Sequence, residues 1–144
     1  MNRIVSAAFG LLMAVAAGVD PASILVDPGP DFTKTPAQTI EVLRHLEALD
    51  PDGLPMLLAI SRKDFIGALT ATRPKERLAG TLAATAVVGS GSGVVLRVHD
   101  VGEVRRFLTV FDALVGDAAI DPELRLADEL RWAAGRPDGT VAAP

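Results

Sequence analysis

Two short apolar runs constrain this chain more than any other feature. Met56-Leu57-Leu58-Ala59-Ile60 leads into Ser61-Arg62-Lys63-Asp64, and Val94-Val95-Leu96 leads into Arg97-Val98-His99-Asp100. Brief apolar runs with helical patterns between them read as buried parallel strands. Each run therefore delivers a small group of cationic and polar side chains to the carboxyl end of a strand. In α/β proteins that end is where ligands bind. Arg62, Lys63, Arg97 and His99 are thus candidates to converge on one anion.

The rest of the chain is read as the means of setting those two ends side by side. Its 144 residues match one ordinary domain with a real core. Apolar residues make up 49% and aromatics only 4%, which suits helices packed on a parallel sheet better than a β-sandwich and argues against disorder. A net charge of −4 gives no basic face for nucleic acid. There is no cysteine, so disulfides, thiolate metal sites and a cysteine nucleophile are excluded. Two histidines, His45 and His99, are too few for a multi-histidine metal site.

Asn2-Arg3 ahead of the apolar run Ile4 to Ala17 has the outline of a signal peptide, with a basic start and a short hydrophobic centre. The run is too short to span a bilayer. Gly18-Val19-Asp20-Pro21 then leads straight into more core-like sequence, with no convincing cleavage boundary. The run is therefore read as a buried helix, and no membrane association is expected.

In chain order, Ile24-Leu25-Val26 reads as a short buried strand that enters the proline-stiffened loop Asp27 to Lys34. Thr35-Pro36 opens a helix, with Thr35 as N-cap and Pro36 at the first helical position. Ile40, Val42, Leu43, Leu46 and Leu49 fit one face of it, and Asp50 to Gly53 closes it. A second strand runs from Leu54 to Ile60. Phe65 to Leu69 is short, helical or irregular. A long helix rich in small residues follows from Pro74 to about Val88. Gly89 to Gly93 turns the chain back into a third strand, Val94 to Val98. A phosphate loop would follow a strand and open a helix, so this glycine-rich stretch is read as a turn. Asp100 caps a helix from Val101 to Leu114. Asp121-Pro122 opens an extra C-terminal helix to about Ala134, with Trp132 as its anchor, and residues 135–144 form a tail. The order βαβαβα implies a parallel sheet with right-handed crossovers. Three strands cannot close a (β/α)8 barrel, which takes about 250 residues.

Each candidate site residue has a plain alternative. Asp27, at the end of the first strand, either accepts hydrogen bonds from an amide-like ring edge or only caps the proline turn. Arg62 and Lys63 either bind a phosphate or polarise a carbonyl, or Arg62 pairs with a carboxylate such as Asp64. Ser61 either donates to the same ligand or caps the next turn. Arg97 and His99 lie two apart, on one strand face, and suit an anion clamp for a leaving diphosphate, although a single histidine is more often structural. His45 falls on the polar side of its helix and reads as solvated surface.

Taken together, four stretches carry a resemblance. Asp27-Pro28-Gly29-Pro30-Asp31-Phe32-Thr33-Lys34, Ser61-Arg62-Lys63-Asp64-Phe65-Ile66-Gly67, Glu76-Arg77-Leu78-Ala79-Gly80-Thr81-Leu82-Ala83 and Arg97-Val98-His99-Asp100-Val101 closely resemble the C-terminal half of bacterial dihydropteroate synthases, in the family's order and spacing. The likeness runs from about Val15 to Leu114. It implies an α/β fold that is part of a (β/α)8 TIM barrel, namely its last three β/α units, to which the sequence reading adds a preceding helix and an extra C-terminal helix. Residues 1–116 would be the barrel portion and residues 117–144 an appendage. It also implies a cytoplasmic transferase of folate biosynthesis, which condenses 6-hydroxymethyl-7,8-dihydropterin diphosphate with p-aminobenzoate to dihydropteroate and pyrophosphate.

By that resemblance, Asp27 holds the pterin ring edge and Lys63 reaches the pterin carbonyl. Phe32 and Ser61 lie on the p-aminobenzoate side. Arg97 and His99 bind the diphosphate, and Arg62 belongs to the same substrate-binding set. Mg2+ is implied as a cofactor, but the asparagine that helps hold it belongs to the family's N-terminal half. Asn2, the only asparagine here, lies in the wrong element. The chain alone is therefore expected to show little or no synthase activity. A partner chain or a second copy would complete the barrel. The competing expectations are a non-catalytic pterin-binding or barrel-completing protein, and a small secreted protein processed near Gly18.

Overall fold

Two parallel strands set the geometry of the molecule. The computed structural model describes residues 4–49, 53–89 and 93–132. Helix α1 (Ile4–Ala16) is followed by α2 (Pro36–Arg44), strand β1 (Met56–Leu58), α3 (Asp64–Thr70), α4 (Leu78–Val88), β2 (Val94–Leu96) and α5 (Val101–Val115). β1 and β2 pair in parallel, with Met56 opposite Val94, Leu57 opposite Val95 and Leu58 opposite Leu96. Val26 adds a single parallel bridge to Met56 on the other side of β1. The core is Leu43, Met56, Leu58, Ile60, Phe65, Ile66 and Val88, so β1 is buried between the helices that follow the first and second strand positions. Among the described residues, no helix is long and apolar enough to cross a membrane.

Local chemistry explains the helix starts. Thr35 accepts from the amide of Gln38, and the Gln38 side chain accepts from the amide of Thr35, a reciprocal capping box with Pro36 behind it. α4 is lined with small residues and lies so close to α3 that a Cβ on Gly80 would stand 2.2 Å from Ile66 Cγ2. α5 ends at Gly116 in the left-handed conformation.

Several expected elements differ. Ile24-Leu25-Val26 is no strand: the Ile24 amide is taken by the Pro21 carbonyl of the preceding turn, Leu25 is exposed, and only Val26 bridges. The second and third strands shrink to Met56–Leu58 and Val94–Leu96, although Ala59 and Ile60 stay buried and the Arg97 amide still donates to Leu58 O at 3.1 Å. The helix expected to reach Leu49 stops at Arg44, where His45 leaves helical geometry, and a 3-10 turn covers Leu46–Leu49. The helix expected from Pro74 begins with a 3-10 turn, Pro74–Glu76, and becomes α-helical at Leu78. The described side chains of α1 do not form the expected buried helix: Leu12 and Met13 are more than half exposed, and the helix lies against the Leu46–Leu49 turn.

The extra C-terminal helix is also absent from the described residues, where a single 3-10 turn at Asp128–Leu130 stands in its place. Trp132 is 88% exposed and anchors nothing. Asp121 folds its carboxylate onto the Glu123 amide, and with no surface to pack on, so short a segment cannot hold a helix. The expectations for Asn2-Arg3, for Asp50 to Asp52, for the centre of the glycine-rich turn at 90–92 and for the tail from residue 133 lie outside the described residues.

Candidate functional site at the strand ends

Ser61 is the junction of the site. It follows buried Ile60, is itself only 6% exposed, and stands where β1 delivers the chain to its carboxyl end. Its Oγ lies 3.2 Å from the amide nitrogen of His99 and 3.1 Å from His99 Nδ1. The two strand ends read from the sequence are thus joined through one hydroxyl.

Arg62 is the turn residue, with φ at +57°, a region that non-glycine residues seldom occupy. Its amide, its carbonyl and its guanidinium are each engaged. Its amide donates to Thr81 Oγ1 at 3.0 Å, and its carbonyl accepts from Arg77 at 2.9 Å. Its guanidinium grips Asp100 with two bonds, Nε at 3.0 Å and Nη2 at 2.5 Å. That fork holds the Asp100 carboxyl below its ordinary range, and the Asp100 hydrogen bond raises Arg62 further above its own. The Arg62 partner is therefore Asp100, not Asp64. Asp64 pairs with Arg77 instead, at 2.8 Å. Asp100 stands at the start of α5 but makes no side-chain cap, because its carboxylate is committed to Arg62.

Lys63 is half-buried and places its ammonium 4.6 Å from the centroid of the Phe32 ring, a cation–π contact between the second strand end and the first loop. Phe32 is 61% exposed. Asp27 is exposed, and its Oδ1 accepts from the Gly29 amide at 2.8 Å, so it does cap the proline turn while leaving its other oxygen open. Arg97 is exposed, and its guanidinium has no hydrogen-bond or ion-pair partner among the described residues. His99 is exposed beside it and is held by Ser61. His45 is solvated and, among the described residues, pairs with Glu41 one turn earlier.

The structure thus brings Ser61 to His99 and Lys63 to Phe32, ties Arg62 to Asp100, and leaves Arg97 free. Sequence reasoning missed the residues that hold this arrangement: Asp31, Thr39, Arg77 and Thr81. Threonines within apolar helical stretches were the available signal, since Thr39 and Thr81 are fully buried and such hydroxyls need partners. A separate apolar groove of about 450 Å3 lies between α2, α3 and α4. Its lining includes Ile40, Leu43, Leu69 and Val87 and none of the strand-end candidates. Among the described residues, no group of three or more His, Cys, Asp or Glu side chains could hold a metal ion.

Comparison with known proteins places the chain in a family. The family described as pterin binding enzyme matches residues 7–99. The protein named inactive dihydropteroate synthase 2 of Mycobacterium leprae is 43% identical over 103 residues, which is 72% of this chain and 35% of that protein. Bacillus subtilis dihydropteroate synthase is 40% identical over 109 residues, 75% of this chain and 38% of that one. The chain spans little more than a third of the length of these curated relatives. Among solved structures, Yersinia pestis dihydropteroate synthase aligns with a TM-score of 0.69 at 32% identity, over 76% of this chain and 51% of that one. The Xanthomonas albilineans enzyme in complex with 7,8-dihydropteroate aligns with a TM-score of 0.70 at 36% identity, over 80% of this chain and 48% of that one. These neighbours have the TIM-barrel fold, and the chain is α/β like them. With a family match over most of its length, this chain belongs to the pterin binding enzyme family.

Proposed function

We propose that the chain carries the pterin- and diphosphate-binding wall of a dihydropteroate synthase site, built from the last three β/α units of a TIM barrel over residues 1–116, with residues 117–144 as an appendage. The observation that supports this best is the Ser61–His99 junction, which joins the turn that carries Lys63 to the strand end that carries Arg97. In this reading Asp27 accepts from the pterin ring edge with its open oxygen, and Lys63 reaches the ring carbonyl. Phe32 and Ser61 face p-aminobenzoate. Arg97 and His99 hold the diphosphate. Arg62 acts by fixing the turn rather than by touching substrate, because its guanidinium is engaged by Asp100.

The chemistry follows from those placements. The carbon–oxygen bond to the diphosphate breaks as negative charge grows on the leaving group, and an unpaired guanidinium stabilises that charge where it develops. The p-aminobenzoate nitrogen attacks the methylene carbon and gives up one proton, so dihydropteroate and pyrophosphate are the products. Ser61 Oγ accepts from the His99 amide and has one proton to donate. Donated to Nδ1, it leaves the ring proton on Nε2, available to the diphosphate. The Mg2+ implied by the resemblance finds no group of three or more acidic or histidine ligands among the described residues. The setting that goes with this reading is the cytoplasm and folate biosynthesis.

A second reading, a pterin-binding protein without turnover that docks on another barrel portion, is favoured by one finding. The Mycobacterium leprae and Mycobacterium tuberculosis relatives, 43% and 41% identical, are named inactive. Two assays separate the readings. Dihydropterin diphosphate binding is measured on the 144-residue chain, and product formation is measured on that chain alone and joined to the first five β/α units of the Bacillus subtilis enzyme. Binding with turnover only after joining supports the synthase reading. Binding without turnover in either form supports the second, and absence of binding contradicts both.

A further inference from the structure

The loop Asp27 to Lys34 and the turn Ser61 to Ile66 meet without any main-chain hydrogen bond between them among the described residues. Beside the Lys63–Phe32 contact, one side chain makes the hydrogen-bonded connection. Asp31 Oδ2 accepts from the amide of Asp64 at 2.6 Å and from that of Phe65 at 3.3 Å. Its other oxygen accepts from Thr39 Oγ1 at 2.9 Å, and the same hydroxyl accepts from the Asp31 amide at 3.0 Å. Thr39 is fully buried in α2, so this carboxylate is fixed at both ends. Asp31 itself sits at φ +65°, where aspartate, asparagine and glycine are the residues most readily accepted.

The neighbours of these anchored groups are the two partners of the cation–π contact. Phe32 directly follows Asp31, and Lys63 directly precedes Asp64. Lys63 makes no side-chain cap to α3. We infer that Asp31 is a positioning residue for Lys63: by clamping the peptide after Lys63 to the buried Thr39, it fixes the Phe32 ring beneath the Lys63 ammonium. This deepens the proposed pterin site, since Lys63 is its ring-facing cation, and it rests on that reading only for the effect on ligand.

The test uses the full chain and two variants that separate backbone from carboxylate. Asp31→Gly keeps the positive φ and removes the clamp; Asp31→Asn keeps the backbone preference and one acceptor. The ligand-free readout is the upfield ring-current shift of the Lys63 ε-methylene in carbon–proton NMR, with Phe32→Leu as the control that abolishes it. Asp31→Gly is expected to lose most of that shift, and Asp31→Asn to keep part of it. Affinity for 6-hydroxymethyl-7,8-dihydropterin diphosphate should fall about tenfold in Asp31→Gly. Thr39→Val, which removes the other end of the clamp, should lower the shift as well and serves if Asp31→Gly does not fold. Faster amide exchange at Asp64 and Phe65 with an unchanged shift would mean that Asp31 only caps α3, and would overturn the inference. Because the shift is read without ligand, it fails or stands separately from pterin binding.

Discussion

The hydroxyl of Ser61 contacts both the main-chain nitrogen and the ring nitrogen of His99, at 3.2 and 3.1 Å. This relationship spans two strands and makes the site one object. Ser61→Ala removes it and leaves a half-buried amide unpaired, at a cost of about 1 kcal/mol. The expected outcome is a small fall in the urea midpoint and a larger proportional loss of dihydropterin diphosphate affinity, because His99 is no longer held. Ser61→Thr, which keeps the hydroxyl, should restore much of both. Equal affinities in Ser61→Ala and the parent chain would contradict the role given to the junction.

The Arg62–Asp100 fork predicts a pH dependence with a definite sign. Asp100 is held below its ordinary range in the folded chain, first by the Arg62 hydrogen bonds. A depressed carboxyl contributes stability above its unfolded-state value, about 3.9, and that contribution is lost as pH falls through the lower folded-state value. The difference in urea midpoint between the parent chain and Asp100→Asn should therefore stay level above about pH 5 and shrink below about pH 4. A difference that grows on acidification would contradict the assignment.

Thr81 is fully buried and supports the turn from below, accepting from the Arg62 amide while donating to the Arg77 carbonyl at 2.9 Å. Thr81→Val keeps the shape and strands that amide, so a loss of about 1–3 kcal/mol is expected. Thr85 is equally buried, but its hydroxyl only donates back to Thr81 O within α4. Thr85→Val should cost less. Urea unfolding of the two variants side by side checks the ranking.

Gly80 reports the fit of α4 on α3. Alanine there gains up to about 1 kcal/mol of helix propensity over glycine. The added Cβ would stand 2.2 Å from Ile66 Cγ2, inside a core residue that is only 2% exposed. Overpacking of that kind costs about 1–3 kcal/mol, so Gly80→Ala should be net destabilising. In an Ile66→Ala background the clash is gone and the same change should stabilise. A double-mutant cycle in urea reads the reversal.

Much of this was legible in the sequence, and the failures have physical causes. Thr35-Pro36 starts a helix because capping is local chemistry, and the strand-end motifs lie where the apolar runs put them. Ile24-Leu25-Val26 fails as a strand because its pairing depends on what lies beside it, and only Val26 meets β1. The segment after Asp121 carries helix-like apolar spacing but has nothing to pack against, and Leu124, Leu130 and Trp132 stay exposed. The choice of Asp100 over Asp64 as the partner of Arg62 spans two strand ends and left no trace in local spacing. The Asp31 clamp was hidden for the same reason, since its partners stand 33 and 34 residues away.

In the proposed function these strand ends form a pterin diphosphate site with Arg97 on the leaving group. The direct measurement is calorimetric titration of 6-hydroxymethyl-7,8-dihydropterin diphosphate into the parent chain and into Arg97→Ala. The Arg97 guanidinium has no protein partner among the described residues, so its removal should leave the urea midpoint nearly unchanged. Saturable binding by the parent chain is expected, weakened at least about tenfold in Arg97→Ala, as loss of a charge-assisted contact to phosphate requires. No binding by the parent chain, or the same affinity in both, would contradict it.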